Sequence, residues 1–175
     1  MRTLSLALLV VGFAAADEPK ADPGFTLLFN GKDFTGWKPK GKKDSLEGKT
    51  EAFGGRFKVK DGELVIDPSV KGDVRIESEK EFAKDFVISF EFKPDAKCNN
   101  DLFIRGQKFD LSTQNVKNMK EGAWNPVVIT MKDGKIEFKV NGESVRTANT
   151  KVEKSTFEIR AEFGAMQVRK FQVKE

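Results

Sequence analysis

Alternating apolar and polar residues run through most of the chain, which is the pattern of strands that bury one face. The clearest example is residues 86–93. Four apolar side chains there fall on a single face: Phe86, Ile88, Phe90 and Phe92. We therefore predict a central strand at this position with one dry face, and a similar strand at 157–163, where the same alternation recurs.

Asp-Gly pairs between alternating runs predict tight β-hairpins, because this dipeptide suits the two-residue turns that match strand twist. One hairpin joins residues 56–60 to 63–66, and another joins 127–132 to 135–140. An Asn-Gly pair and a short strand at 143–146 extend the second hairpin into a three-stranded meander.

The last strand changes parity partway along. Met166 and Val168 fall on one face while Phe171 and Val173 fall on the other, so a bulge near residues 169–170 is needed to keep all four inward. No stretch shows the spacing of a long helix. Short strands separated by Gly and Asn turns predict an all-β chain, an antiparallel β-sandwich or jelly roll.

The N-terminus has the order of a secretory signal: Met1-Arg2, an apolar run over 4–13, and three alanines before Asp17. A membrane-spanning helix needs roughly 20 apolar residues. We therefore expect no permanent membrane anchor, but cleavage after Ala16 and a secreted or periplasmic protein. Residues 1–16 are then the signal peptide, 17–24 a leader and 25–175 one domain, with a Lys/Gly-rich loop at 38–48.

The amino-acid composition excludes several kinds of catalytic and metal site. Histidine is absent, so a Ser-His-Asp triad, a His-activated cysteine and a histidine metal site are excluded. The net charge of +4 comes from lysines scattered along the chain, so we expect no nucleic-acid partner. The one cysteine, Cys98, is either a buried filler or a reactive thiol.

Residues 99–112 carry the most candidate chemistry. If Leu102 and Ile104 face the core, Arg105 lies on the opposite face, near Gln107 and Asp110. An Arg, an amide and a carboxylate on one sheet face suit a polyhydroxylated ligand. An ordinary surface ion pair between Arg105 and Asp110 is the alternative.

The two tryptophans, Trp37 and Trp124, lie next to predicted turns, and the sequence allows two roles for each. Trp124, just before a strand, is either a stacking platform for a sugar or part of the core, and its position favours the core. The same holds for Trp37.

Several segments, taken in order, resemble the 3-keto-disaccharide hydrolase family: FTLLFNGKDFTGWK, DGELVI, ESEKEFAKDFVISFEFK, NNDLFIRGQ, GAWNPVVITMKDGKIEFKVNGE and MQVRKFQVKE. The resemblance runs from residue 25 to the C-terminus. It implies a concanavalin A-like jelly roll that acts on glycosides oxidised at C3 of the sugar.

The resemblance also implies roles for particular residues. Asp110 stands where the family usually has a glutamate and is the candidate base or metal ligand, with Arg105 as a clamp for the enolate or a hydroxyl. Predicted substrate-binding residues are Gln107, Asn100 and Trp124; Lys80 and Glu81, which match an EKE segment, are reserve candidates for base or acid. No cofactor is assigned, a divalent metal is the alternative to metal-free chemistry, and the oligomeric state is left open.

The chain departs from the family pattern at several positions. Asn100-Asp101-Leu102 replaces an NSG motif, the acidic residue is shortened to Asp110, and a common histidine is missing. Three hypotheses follow: an exported enzyme that cleaves 3-keto-glycosides, a non-catalytic glycan-binding module, and a structural protein of the cell envelope.

Overall fold

The computed structural model of the protein describes residues 19–83 and 85–175. Within them lie fourteen strands, numbered β1 to β14 in chain order, and no helix. None of the described segments is therefore a helix that could cross a membrane. The predicted signal peptide and the first two leader residues fall outside the described part of the chain.

The strands form two antiparallel sheets. The nine-stranded sheet contains β1 (Thr26–Leu27), β3 (Glu51–Ala52), β4 (Phe57–Lys60), β5 (Glu63–Ile66), β7 (Phe86–Pro94), β10 (Asn125–Lys132), β11 (Lys135–Val140), β12 (Glu143–Asn149) and β14 (Met166–Lys174). The five-stranded sheet contains β2 (Trp37–Pro39), β6 (Val74–Phe82), β8 (Asn99–Ile104), β9 (Gln107–Ser112) and β13 (Ser155–Phe163).

The order of the strands in each sheet determines which strands lie at its edges. The larger sheet runs β12-β11-β10-β7-β14-β5-β4-β3, with β1 also paired to β14, and the smaller runs β2-β6-β13-β8-β9. Aromatic side chains join the two inner faces. Phe109 of β9 stacks on Phe138 of β11 with ring centroids 4.6 Å apart, and Phe157 of β13 meets Phe171 of β14 edge-on at 5.1 Å. The protein is thus a sandwich with one aromatic-rich core between its sheets.

The predicted pattern of strands is confirmed at its main points. β7 lies between β10 and β14, with Phe86, Ile88, Phe90 and Phe92 all buried. Both Asp-Gly hairpins form, and the strand after the second one completes the meander. In β14 the pairing with β7 shifts between Arg169 and Gln172, which leaves the four apolar residues of the last strand inside.

Two regions differ from the expectation. The Lys/Gly-rich segment 38–48 begins inside a strand, β2, because Trp37 packs in the core and its indole nitrogen donates a hydrogen bond to the Leu28 carbonyl at 2.9 Å. Leu46 is buried too, so this loop is anchored at two points. Strand β12 extends to residue 149, beyond its predicted end, because it pairs with the whole of β11.

Candidate functional site

Eight charged side chains and one phenylalanine lie in two neighbouring rows across the outer face of the five-stranded sheet. Alternation puts the apolar residues of each strand in the core and the charged residues outside. Strand register aligns the first row as Lys38, Glu77, Glu158, Phe103 and Lys108, and the second as Arg75, Arg160, Asp101 and Asp110. We call these nine residues the polar face.

The polar face is held by ion pairs and by one contact between a cation and an aromatic ring. Arg160 donates to the Asp101 carboxylate at 2.8 Å and also pairs with Asp73 and Glu162. Lys40 reaches Glu77 at 2.9 Å, and the Arg75 guanidinium lies 4.2 Å from the centre of the Phe103 ring. Such pairs across strands fix the directions of the polar side chains.

Asp110 is the predicted site residue that lies on this face with access to solvent. Its carboxylate is 2.8 Å from Lys108 Nζ and its side chain is one-third exposed, at 33%. Burial by itself raises the pKa of Asp110, but hydrogen bonds with Lys108 and Asp101 and the positive charges of Lys108 and Arg146 outweigh burial and lower it. The group is therefore ionised at neutral pH.

The residues around Asp110 do not fit a divalent metal. Lys108 Nζ lies between the two carboxylates, 2.8 Å from Asp110 and 3.1 Å from Asp101, in the position that a bridging cation would take. Among the described residues, no group of three or more acidic or cysteine side chains is placed to hold an ion.

A cleft of about 430 Å³ opens beside Asp110, between β9 and β12, which are edge strands of the two sheets. It is lined by Phe109, Asp110, the loop residues 115–118 and residues 143–146. We call this the edge cleft. Its volume lies within the range of small-molecule sites.

Arg146 is a residue of the edge cleft that the sequence did not single out. Its guanidinium donates to the Lys108 carbonyl and, at 3.3 Å, to Gln107 Oε1. Its charge contributes to the lowered pKa of Asp110. In the sequence Arg146 is one polar position in a strand, and only the pairing of distant strands brings it to β9.

Arg105 does not lie where it was predicted. The strand ends at Ile104, and Arg105 begins the turn to β9 with a φ of 51°, so alternation no longer sets its direction. Its side chain is 7% exposed, and Nε donates to the Val152 carbonyl at 2.5 Å. The expectation that Arg105 projects from the polar face as a clamp is wrong, because the turn directs it toward backbone carbonyls.

Asn100 is also enclosed. Its side chain is fully buried, donates to Cys98 Sγ at 3.4 Å, and accepts a hydrogen bond from the Glu162 amide at 2.8 Å. The predicted contact of Asn100 with substrate is therefore contradicted: the side chain joins β8 to β13. Cys98 is buried, at 2% exposed, which agrees with the interpretation as a core residue. Burial raises the pKa of its thiol to about 12.

Lys80 and Glu81 lie apart from Asp110. They belong to β6, which β13 and β8 separate from β9. Lys80 pairs with Glu175 at 2.7 Å, and Glu81 with Lys154 at 2.9 Å. Lys80 and Glu81 are therefore members of surface ion pairs. The structure does not bring these reserve candidates to the edge cleft, because two strands lie between β6 and β9.

Trp124 lies on the other side of the sandwich. Its half-buried ring contacts the Arg169 guanidinium at 3.9 Å and Lys93 Nζ at 5.1 Å, and both cations point outward from the nine-stranded sheet. The preference for a core position is wrong for Trp124 and confirmed for Trp37, which is fully buried. Trp124 therefore does not share a face with Asp110.

Comparisons with known proteins agree with this architecture. A family model described as the 3-keto-alpha-glucoside-1,2-lyase-like domain matches residues 24–120. The comparison with curated proteins found no match.

Solved structures share the fold at low identity. A candidate glycosyl hydrolase from Parabacteroides distasonis is 18% identical, covers 87% of this chain and 94% of its own, and superposes with a TM-score of 0.66. The carbohydrate-binding module CBM66 from Bacillus subtilis is 9% identical over 80% of this chain and 96% of its own, with a TM-score of 0.56. A Bacillus subtilis protein with a galectin-like fold is 10% identical over 81% and 90%, at 0.53. The predicted jelly-roll sandwich is confirmed.

Proposed function

Since this chain belongs to the 3-keto-alpha-glucoside-1,2-lyase-like family, we propose that it acts on carbohydrate and cleaves glycosides oxidised at C3 of the sugar in the edge cleft. The observation that carries this proposal is the position of Asp110. It is an ionised carboxylate that lines a cleft of suitable size and has the cations Lys108 and Arg146 beside it. A base next to positive charge is what abstraction of a proton adjacent to a ketone requires.

The chemistry uses one carboxylate and its cations. The C3 ketone acidifies the C2 proton; Asp110 takes this proton, and the electrons of the C2–H bond form an enolate whose oxygen lies near the cations. The enolate then expels the C1 substituent, so the C1–O bond breaks and a C1–C2 double bond forms. Protonated Asp110 returns its proton to the departing oxygen, and water adds across the double bond.

A second candidate function is glycan binding without turnover. The favouring observation is that the Lys108 ion pair lowers the pKa of Asp110, which makes this carboxylate a weaker base. A face built from paired carboxylates and cations still offers hydrogen bonds to sugar hydroxyls. Export after cleavage near Ala16 belongs to the proposal in either case.

The test is incubation of the mature protein with a 3-keto-disaccharide, with and without a divalent metal, and measurement of the released sugar. We expect release, and we expect Asp110→Asn to lower its rate at least about 100-fold, as the loss of a general base does. The matched control is Asp61→Asn, an exposed turn residue with a φ of 52°, a conformation that Asn tolerates.

Full activity of Asp110→Asn would show that the edge cleft is not the site. An inactive parent that binds oligosaccharides in calorimetry would favour the second candidate. Absence of both turnover and binding would overturn the carbohydrate proposal and leave the envelope-protein hypothesis.

A further inference from the structure

Phe163 presents a large aromatic ring to solvent. The residue is 61% exposed, the largest value among the large exposed apolar residues of the described chain. It lies at the end of β13, where the pairing with β8 shifts between Arg160 and Phe163. The Asn100 side chain holds this irregularity by accepting the amide hydrogen of Glu162.

The turn that carries Phe163 is fixed in place. Asp95 binds it twice: the Asp95 amide donates to the Ala165 carbonyl at 3.1 Å, and the Asp95 carboxylate accepts from the Ala165 amide at 3.0 Å. The turn also lies close to residue 97, because a Cβ on Gly164 would be 2.5 Å from the Lys97 carbonyl carbon. The exposed ring therefore lies on a turn that two hydrogen bonds and close packing hold in place.

A second cavity lies against Phe163. It measures about 320 Å³ and is lined, besides Phe163, by three amide side chains, one hydroxyl, one lysine and the cysteine: Asn99, Gln114, Asn115, Ser112, Lys97 and Cys98. Amide groups and an aromatic ring are what a sugar ring needs, since its edges hydrogen-bond and its C–H faces pack on aromatic surfaces.

This cavity adjoins the edge cleft. Asn115 lines both, and strand β9 contributes Asp110 to one and Ser112, two residues further along, to the other. Strand register places Asn99 between Ser112 and Phe163. The two cavities thus share a wall, and the residues between the edge cleft and the Phe163 ring are polar.

From this geometry we infer that the Phe163 cavity is the subsite for the second sugar ring, the one that leaves when a disaccharide is cleaved at Asp110. This inference rests on the proposed function and deepens it. The ring of Phe163 packs against a face of the leaving sugar, and Asn99 and Gln114 hydrogen-bond its hydroxyls. The subsite selects glycosides with a second ring over those with a small group at C1.

The test compares two substrates. For a 3-keto-disaccharide, we expect Phe163→Ala to raise KM about 10-fold and Phe163→Trp to keep it within about 2-fold, because stacking needs an aromatic face. For a methyl 3-keto-glucoside, which has no second ring, Phe163→Ala leaves KM unchanged. Phe53→Ala is the matched control, since Phe53 is a second exposed phenylalanine and lies in the turn directly after β3 of the other sheet.

Equal effects of Phe163→Ala on the two substrates, or no effect on the disaccharide, would overturn the inference. A binding measurement separates it from the proposed function. If the parent turns over neither substrate, calorimetry with the unoxidised disaccharide still tests the subsite: loss of binding in Phe163→Ala, but not in Phe53→Ala, supports it, and unchanged binding contradicts it.

Discussion

At the residue scale, two neighbouring carboxylates have different roles in this molecule. The Asp110 carboxylate is partly open to solvent and lines the edge cleft. The Asp101 carboxylate, directly opposite on β8, is fully buried and ties Arg160 to the sheet. A buried charge needs such a partner because removal from water is costly. Asp101 therefore holds the polar face together, whereas Asp110, although paired with Lys108, is accessible to a ligand.

Arg105 is predicted to be a structural residue. In Arg105→Lys the planar fork that reaches the carbonyls of Val152 and Phe82 is lost. We expect the free energy of unfolding in urea to fall by about 1.5–3 kcal/mol, the usual contribution of a hydrogen bond to a charged group. Binding of oligosaccharide by the folded protein should stay within a factor of two. A loss of binding without a loss of stability would restore Arg105 to the site.

At the element scale, bulges and tight turns decide which side chains reach the surface. In β14 the residue Lys170 takes a φ of 52°, and the bulge there returns Phe171 and Val173 to the core. At the end of β13 the opposite happens, since the irregularity before Phe163 turns its ring outward. Without the shift in β14, strict alternation would expose Phe171, and without the irregularity in β13 it would bury Phe163.

The turn after Phe163 gives a prediction at this scale. Gly164 has a φ of 72°, and an added Cβ would approach Lys97 to 2.5 Å; Gly48 has a φ of 69° and open space around it. Both Gly→Ala variants should lose about 1 kcal/mol because Ala disfavours positive φ. Gly164→Ala should lose at least about 1–2 kcal/mol more through the clash, which lowers its Tm by several degrees below that of Gly48→Ala. Equal melting temperatures would show that the turn is not tightly held.

At the scale of the whole molecule, hydrogen bonds and ion pairs to carboxylates make the stability of the fold depend on pH in the acid range. The hydrogen bonds from Ser69 and Lys58 lower the pKa of Asp67 from 3.8 to about 2. The pKa of Glu77 is lowered as well: burial opposes the shift, but hydrogen bonds from Lys40, the Gly41 amide and Thr156 outweigh burial. Groups with lowered pKa values stabilise the fold above their unfolded pKa values and lose that contribution as pH falls.

We therefore expect Tm to be constant above the ordinary carboxyl values of 3.8 and 4.5 and to fall steadily from there to about pH 2. Calorimetric scans from pH 7 to pH 2 measure this. In Asp67→Asn the decrease should be smaller, because one of the contributing carboxylates is gone. A Tm that does not change down to pH 2 would contradict the proposed contribution of these pairs.

Local features of the sequence were sufficient for much of the fold. The alternation at 86–93 predicted the buried face of β7, the Asp-Gly pairs predicted two hairpins, and the parity change after Val168 predicted the bulge in β14. Each of these depends on side-chain direction or turn conformation within a few residues. Such information is present in the chain itself, whichever strands become neighbours.

The arrangement of the candidate site was decided by tertiary structure. Asp110 was singled out from the pattern of residues 99–112, and the resemblance gave it a role. Arg146 lies beside it only because the edges of two sheets meet, and Arg105 turns inward because its strand ends one residue earlier. Strand pairing between residues far apart in the chain, and packing of one sheet on the other, set these positions. The sequence by itself therefore determined the strands and their buried faces, whereas contacts between distant segments determined which charges face a ligand.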